Sequence, residues 1–283
     1  MNSEHLNDEE RREYWRRQMD AGFAFMMKMR NYPVEENFEP LVNLQGYARK
    51  TGVRIIFSCT KRVETGLPIF RLRKGLVESF IGAAEEMNAR GWVMRVEDAF
   101  RTRDMQNPLH RTKETFDRIV RKILWETNGK KISPQLFFRR MTVLIATIPK
   151  ICTHMSGSAI DISVIDRKTG IELDRGAPYL AMDERTFMDS PFISANARKN
   201  RQRITECMAK FGFFAYPFEF WHFSKGDAYA EYLSGSGKPA VYGPVDLLDK
   251  KGTVAPTKQP QKPLMTMEEI RNRIRPYLIR ITF

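Results

Sequence analysis

Residues 152–165 read CTHMSGSAIDISVI, a cluster of small residues running into a β-branched stretch. The small residues interrupt any helical stripe, and the run behind them predicts a strand over 158–165. His154 and Asp161 are seven positions apart, so on one regular strand their side chains would point to opposite faces. His154 must therefore lie on a turn or loop before the strand, where Gly157 gives the backbone its freedom. The segment Glu219-Phe220-Trp221-His222 poses the same problem. It falls in an aromatic stretch that predicts a strand over 213–223, with Glu219 and His222 at opposite parity. A bulge or strong twist is needed to bring the two side chains to one site, and Pro217 supplies a local reason for one.

Upstream, Leu76, Phe80, Ile81, Ala84 and Met87 recur at helical spacing up to Gly91, after which Trp92, Met94 and Val96 alternate as a strand. That step delivers Asp98, Phe100 and Arg101 at the strand's far end. A first helix begins near Asn7 or Asp8 and carries a stripe of Trp15, Met19, Phe23 and Met26. Phe116, Ile119, Val120, Ile123 and Leu124 mark another helix that stops near Asn128 and Gly129, and 136–148 reads as one more. A helix over 195–210 ends at Gly212. Five prolines between 237 and 263 make that segment a linker or a surface-hugging loop. Thr266 and Glu269 then form a capping box that opens a helix, which Pro276 kinks or ends. The mixed order of helices and strands is α+β.

At 283 residues the chain is long enough to bury a core without disulfide or metal staples. Its 42% hydrophobic content, 29% charged content and mean hydropathy of -0.46 exclude a disordered or membrane-embedded chain. No apolar run approaches the roughly 20 residues that cross a bilayer, and the first fifteen residues are too polar for a signal peptide. Cys59, Cys152 and Cys207 are an odd number without a close pair, which fits reduced thiols and a cytoplasmic address. The net charge of +13 is uneven: 101–140 holds eleven Lys and Arg against four Asp and Glu, and 249–283 holds eight against three. Such surfaces attract polyanions in a salt-dependent way, but charge alone does not define function.

Catalytic zinc takes three protein ligands, commonly imidazole and carboxylate, and leaves a position for water. His154, Asp161 and His222 meet that requirement, and Glu219 is then available as the base that takes a proton from the water. Singly, each residue reads as an ordinary buried histidine or turn aspartate.

Together, His154-x-x-Gly157-x-Ala159-x-Asp161 and Glu219-x-Trp221-His222 resemble the zinc D,D-peptidase family of D-alanyl-D-alanine dipeptidases and carboxypeptidases. The dipeptidase branch is the nearer one. Asp98-Ala99-Phe100-Arg101 resembles its Asp-Gly-Tyr-Arg, and Leu173-Asp174-x-Gly176-x-Pro178 and Trp221-His222-Phe223-x-x-Gly226-Asp227 agree with it too. The likeness spans about 65–235, which makes 1–64 a helical extension and 236–283 a Pro-rich linker with a terminal helix. It implies an α+β fold with a central antiparallel sheet flanked by helices. It further implies one zinc ion on His154, Asp161 and His222, Glu219 as catalytic base and Arg101 as oxyanion stabiliser. The substrate it implies is D-alanyl-D-alanine or a related short cell-wall peptide, with no specific nucleic acid partner.

Three positions depart from the pattern. Leu180 stands where an acidic residue would bind a dipeptide's ammonium, with Asp183 or Glu184 as stand-ins. Cys152 replaces a serine and joins the substrate-contact candidates. Gln106, five after Arg101, resembles the carboxypeptidase branch and raises longer stem peptides as the alternative substrate. Two further alternatives are a non-catalytic polyanion binder on the same fold, and a structural zinc site, which usually needs a fourth ligand.

Overall fold

The computed structural model describes residues 8–60, 68–129 and 132–279. The first half of the chain forms α1 (Asp8–Asn31), β1 (Leu41–Asn43), α2 (Leu44–Thr51), β2 (Ile55–Phe57), β3 (Arg71–Arg73), α3 (Val77–Ala89) and β4 (Trp92–Asp98). Then come α4 (Arg103–Leu109), α5 (Lys113–Glu126), α6 (Pro134–Ile145), the single turn α7 (Thr153–Ser156) and β5 (Ala159–Asp166). The last part comprises α8 (Ala195–Ala209), β6 (Phe214–Ala215), β7 (His222–Ser224), α9 (Ala228–Ser234), β8 (Val245–Leu247), β9 (Val254–Pro256) and α10 (Met267–Ile279). Side-chain caps set several helix starts: Thr102, Thr112, Ser133 and Ser194 each accept from the backbone N–H three residues on. The Asn7 alternative for the first helix start, and the 64/65 boundary, lie outside the described residues.

The central sheet has the order β2-β4-β5-β7-β6. Its pairings are antiparallel except β2 with β4, which run parallel. On β5, Ile160, Ile162 and Val164 point into a core shared with Phe80 and Met87 of α3 and Ile204 and Met208 of α8. Asp161 and Ser163 fall on the other face by the period of two. A bulge near Glu97 rephases β4, so that Val96 pairs with Ile162 but Asp98 pairs with Asp161. Asp161 is in turn the partner of His222. The register thus sets Asp98, Asp161 and His222 in one row across three strands, and bulges re-aim side chains in this way.

Five expectations change. The continuous strand over 213–223 is a hairpin, β6 to β7, whose connecting loop carries Glu219. Proline supplies no N–H to a ladder, and the chain turns at Tyr216, where Glu219 N–H donates to the Tyr216 carbonyl at 3.3 Å. The N-terminal segment is not helical throughout, because β2 joins the central sheet. Nor is α1 a mere extension of the family domain: Trp15, Met19 and Met29 are at most 1% exposed, in a core shared with Val143, Tyr216 and Tyr229. The Pro-rich segment contains the hairpin β8–β9, and α10 continues past Pro276 while burying Ile270 and Ile274 against α5 and α6. Among the described residues no helix is long and apolar enough to cross a membrane.

Candidate active site

His154 sits on α7, the one-turn helix before β5. Gly157 ends that turn at φ +67°, and a Cβ there would lie 2.3 Å from the Leu41 side chain. The turn solves the parity problem with Asp161, and the β6–β7 hairpin solves the one between Glu219 and His222. As a result His154 Nε2 lies 3.2 Å and His222 Nδ1 2.9 Å from the same oxygen, Asp161 Oδ1. Candidate ligand atoms of the three residues all lie within 4.8 Å of one another, and all three residues are buried.

The far side of each ring is held. His154 Nδ1 meets the Ala99 carbonyl at 2.6 Å, and His222 Nε2 meets Thr153 Oγ1 at 2.8 Å. A carbonyl can only accept, so His154 carries its proton on Nδ1. Burial, helped by the Arg101 charge, lowers its pKa and leaves Nε2 as a bare lone pair. That lone pair faces a carboxylate. Burial alone would raise the Asp161 pKa, but the two histidines hold it well below the usual range. Burial opposes the His222 charge, yet the Asp161 hydrogen bond and charge raise its pKa. Lone pairs and a carboxylate converging in a buried spot suit a cation, and two imidazoles with one carboxylate and oriented outer partners suit zinc. Tyr179 donates to Asp161 Oδ2 at 2.8 Å and completes the outer shell.

Arg101 stands beside this cluster. Its Nε donates to Asp98 Oδ2 at 2.6 Å, one guanidinium nitrogen to Gln106 Oε1 at 3.1 Å, and the other lies 3.8 Å from Asp161 Oδ2. Burial would lower its pKa, but Asp98 and Asp161 raise it, so the cation is permanent. Glu219 faces the same cavity, and burial pushes its carboxyl up to about 8. The cavity measures about 570 Å³ and is lined by Arg101, His154, Asp161, Glu219 and His222. Its walls come from α5, α6, the loop at Leu180 and Met182, and Met26 of α1.

The substrate-contact candidates divide. Cys152 lines the cavity as a neutral thiol, since burial pushes its pKa up to about 11. Gln106 does not line it: fully buried, it donates to the Ile145 carbonyl at 2.6 Å and accepts from Arg101, which makes it a positioning group. Asp183 points elsewhere and pairs with Arg185 at 2.7 Å, while Glu184 is held by Arg11 and Lys122. Neither takes the place that Leu180 leaves. Sequence reasoning missed Thr153, Tyr179 and the Ala99 carbonyl. Thr153 and Tyr179 flank the quoted motifs, so adjacency was the available signal; a carbonyl has none. Tyr216 was missed too, with a buried hydroxyl on the cavity wall that has no hydrogen-bond partner among the described residues.

A D-alanyl-D-alanine dipeptidase of Enterococcus faecium is 38% identical over 71 residues, 25% of this chain and 35% of that protein. One from Escherichia coli K12 is 36% identical over 70 residues, 25% and 36% of the two chains. These alignments span about a third of the relatives' length. Among solved structures, the LD-carboxypeptidase LdcB matches at 17% identity with a TM-score of 0.37, covering 74% of this chain and 79% of that one. A variant of the D,D-pentapeptidase VanY in complex with Zn(II) matches at 17% and 0.36, covering 64% and 85%. The profile of the peptidase M15 family, described as D-Ala-D-Ala dipeptidase, matches residues 74–235. That stretch is more than half of the chain and contains both histidines of the cluster, Asp161, Glu219 and Arg101, and the chain belongs to this family.

Proposed function

We propose that this chain is a zinc-dependent peptidase that hydrolyses D-alanyl-D-alanine or a related short cell-wall peptide containing D-amino acids. The observation that carries the reading is the convergence of His154 Nε2, His222 Nδ1 and Asp161 Oδ1, with Arg101 and Glu219 lining the same cavity. His154, Asp161 and His222 would hold a single zinc ion. When bound, zinc polarises a carbonyl and acidifies water.

The chain's own residues do the rest. Glu219 takes the proton of the attacking water on its carboxylate and returns it to the leaving amine. A carboxyl in apolar surroundings has the raised proton affinity that suits such a shuttle. Arg101 faces the developing negative charge on the carbonyl oxygen, and Asp98 and Gln106 fix its guanidinium before substrate arrives. The Ala99 carbonyl keeps His154 in the tautomer that presents its Nε2 lone pair to the ion, and the Thr153 hydroxyl is placed to accept a proton on His222 Nε2 when Nδ1 turns its lone pair to the ion. Cys152 contributes an uncharged wall. The free thiols fit a reducing compartment, and the reading places the enzyme in the cytoplasm.

The test is hydrolysis of D-alanyl-D-alanine and of an amino-blocked tripeptide ending in the same dipeptide. It uses zinc-loaded wild type, Glu219→Ala and His154→Ala. The reading requires cleavage by wild type, loss with either variant and loss on chelation. No cleavage of either peptide by protein carrying one equivalent of zinc refutes it.

A further inference from the structure

Glu219 stands on the loop between β6 and β7, and the bonds that hold this loop lead away from the sheet. Met188 N–H donates to the Pro217 carbonyl at 2.9 Å and Phe220 N–H to the Thr186 carbonyl at 3.2 Å, so residues 186–188 bracket Glu219 on both sides. The bracket lies outside any helix or strand, and side chains must hold it. From α8, Arg201 donates to the Arg185 and Phe187 carbonyls, each at 2.7 Å. The opposite hold is Glu184, which is buried and accepts from Arg11 Nε of α1 at 2.8 Å and from Lys122 Nζ of α5 at 3.2 Å. Lys122 in turn lies over the Trp15 and Trp125 rings, 4.4 and 3.5 Å from their centroids. The Phe187 ring packs between Trp15 of α1 at 5.4 Å and Phe218 of the catalytic loop at 6.3 Å. Helix α1, the bracket and the Glu219 loop therefore form three layers in contact.

Resting on the peptidase reading above, we infer that Glu184 is a positioning residue for Glu219, and that α1 tunes the chemical step through the Arg11–Glu184 clasp. Helix α1 lies wholly ahead of the stretch 74–235 matched by the family profile, so the clasp ties a residue inside that stretch to one outside it. Glu219 meets the reacting water rather than the ion, so slack in its bracket is felt in kcat. The metal ligands stand on α7, β5 and β7 and keep their own supports. The clasp can also be opened gently. Arg11 has a side chain 44% exposed, so replacing it strands no buried charge on α1, and Glu184 retains Lys122.

The experiment uses the zinc-loaded full chain as wild type, Arg11→Met, Glu184→Gln and Arg11→Lys, the last of which keeps a cation for Glu184. Amide hydrogen exchange and zinc Kd are measured on all four, and kcat and KM on whichever of the two peptides above is cleaved. Exchange at Met188 and Phe220 should quicken about tenfold in Arg11→Met and Glu184→Gln, while Leu173, bonded to the Val164 carbonyl at 2.8 Å, stays protected. In the same two variants kcat should fall about tenfold, the scale of a misplacement below 1 Å. KM and zinc Kd should hold within about twofold, and Arg11→Lys should recover most of both losses. Unchanged exchange at the two amides, or unchanged kcat beside faster exchange, overturns the inference and leaves the peptidase reading standing. A parallel loss of zinc affinity and of protection at Leu173 also overturns it, since the clasp would then serve the fold alone. Faster exchange at the two amides, restored by Arg11→Lys, with no turnover by any of the four proteins, sinks the peptidase reading and supports the placing of Glu219 by Glu184.

Discussion

Replacing Thr153 by valine should cost zinc affinity while leaving the metal-free fold almost untouched. The side chains have nearly the same shape, and the hydroxyl makes one contact outside its own turn, 2.8 Å to His222 Nε2. The Ser156 hydroxyl donates to the Thr153 carbonyl, which the change does not touch. Without the hydroxyl, a proton on Nε2 is buried and unsatisfied, at about 1–3 kcal/mol. In the metal-free protein His222 escapes this cost by moving its proton to Nδ1, where Asp161 Oδ1 accepts it at 2.9 Å. That tautomer has no lone pair for an ion, so binding zinc must restore the unfavourable one. The cost therefore falls on metal binding and corresponds to a Kd raised about 10- to 100-fold. Competition against a chelator of known affinity reads it directly, and a thermal melt of the metal-free protein should shift by no more than about two degrees. An unchanged zinc Kd in the folded variant refutes the reasoning. So does a metal-free protein destabilised as much as the loaded one, since Thr153 would then act through packing.

Glu219→Gln should stabilise the metal-free protein in a pH-dependent way. Its folded pKa of about 8 lies above the ordinary 4.5, so folding favours the protonated form; stability is full below about pH 4.5 and falls as pH rises through 8. The melting temperature of the variant should therefore exceed that of wild type by a margin that widens from pH 5 to 8, and a flat difference contradicts the burial argument. Arg101→Lys retains the charge but not the fork that bonds Asp98 and Gln106 together, and steady-state kinetics should show kcat down on the order of 100-fold with zinc affinity unchanged. Glu126→Leu leaves Arg140, 3% exposed, with only the half-exposed Asp20 as partner and removes the acceptor of Trp15 Nε1 on α1. Denaturant unfolding should register a loss of about 3–5 kcal/mol, and a loss under about 1 kcal/mol would mean that α1 is not integral to the core.

Much of the site is legible in the amino-acid sequence because its chemistry is local. His154, Asp161, Glu219 and His222 lie in short runs, and the parity conflict in each run already requires a turn ahead of β5 and a break near Pro217. The break is a hairpin loop rather than a bulge. Distinguishing the two depends on which residues pair, and pairing is a non-local property. The long helices are readable from apolar stripes, as at Trp15, Met19 and Met26, whereas β2 and β8–β9 are three-residue strands too short to show a period.

What the chain carries in its own order is the identity of the reactive groups and the local turns that aim them, since side-chain type and backbone freedom belong to single residues and their neighbours. Tertiary packing decided the rest. The bulge at Glu97 aligned Asp98 with Asp161 and His222. Ala99 offers a carbonyl that every residue possesses, and only its position beside His154 makes it a tautomer lock. Gln106 became a support for Arg101 because α4 buries it against the end of α6, and Asp183 left the cavity because Arg185 pairs with it. α1 became a cavity wall by packing its stripe beside residues more than a hundred positions away. Distances across a register and choices among competing partners arise only when separate segments are pressed together, so no local pattern could contain them.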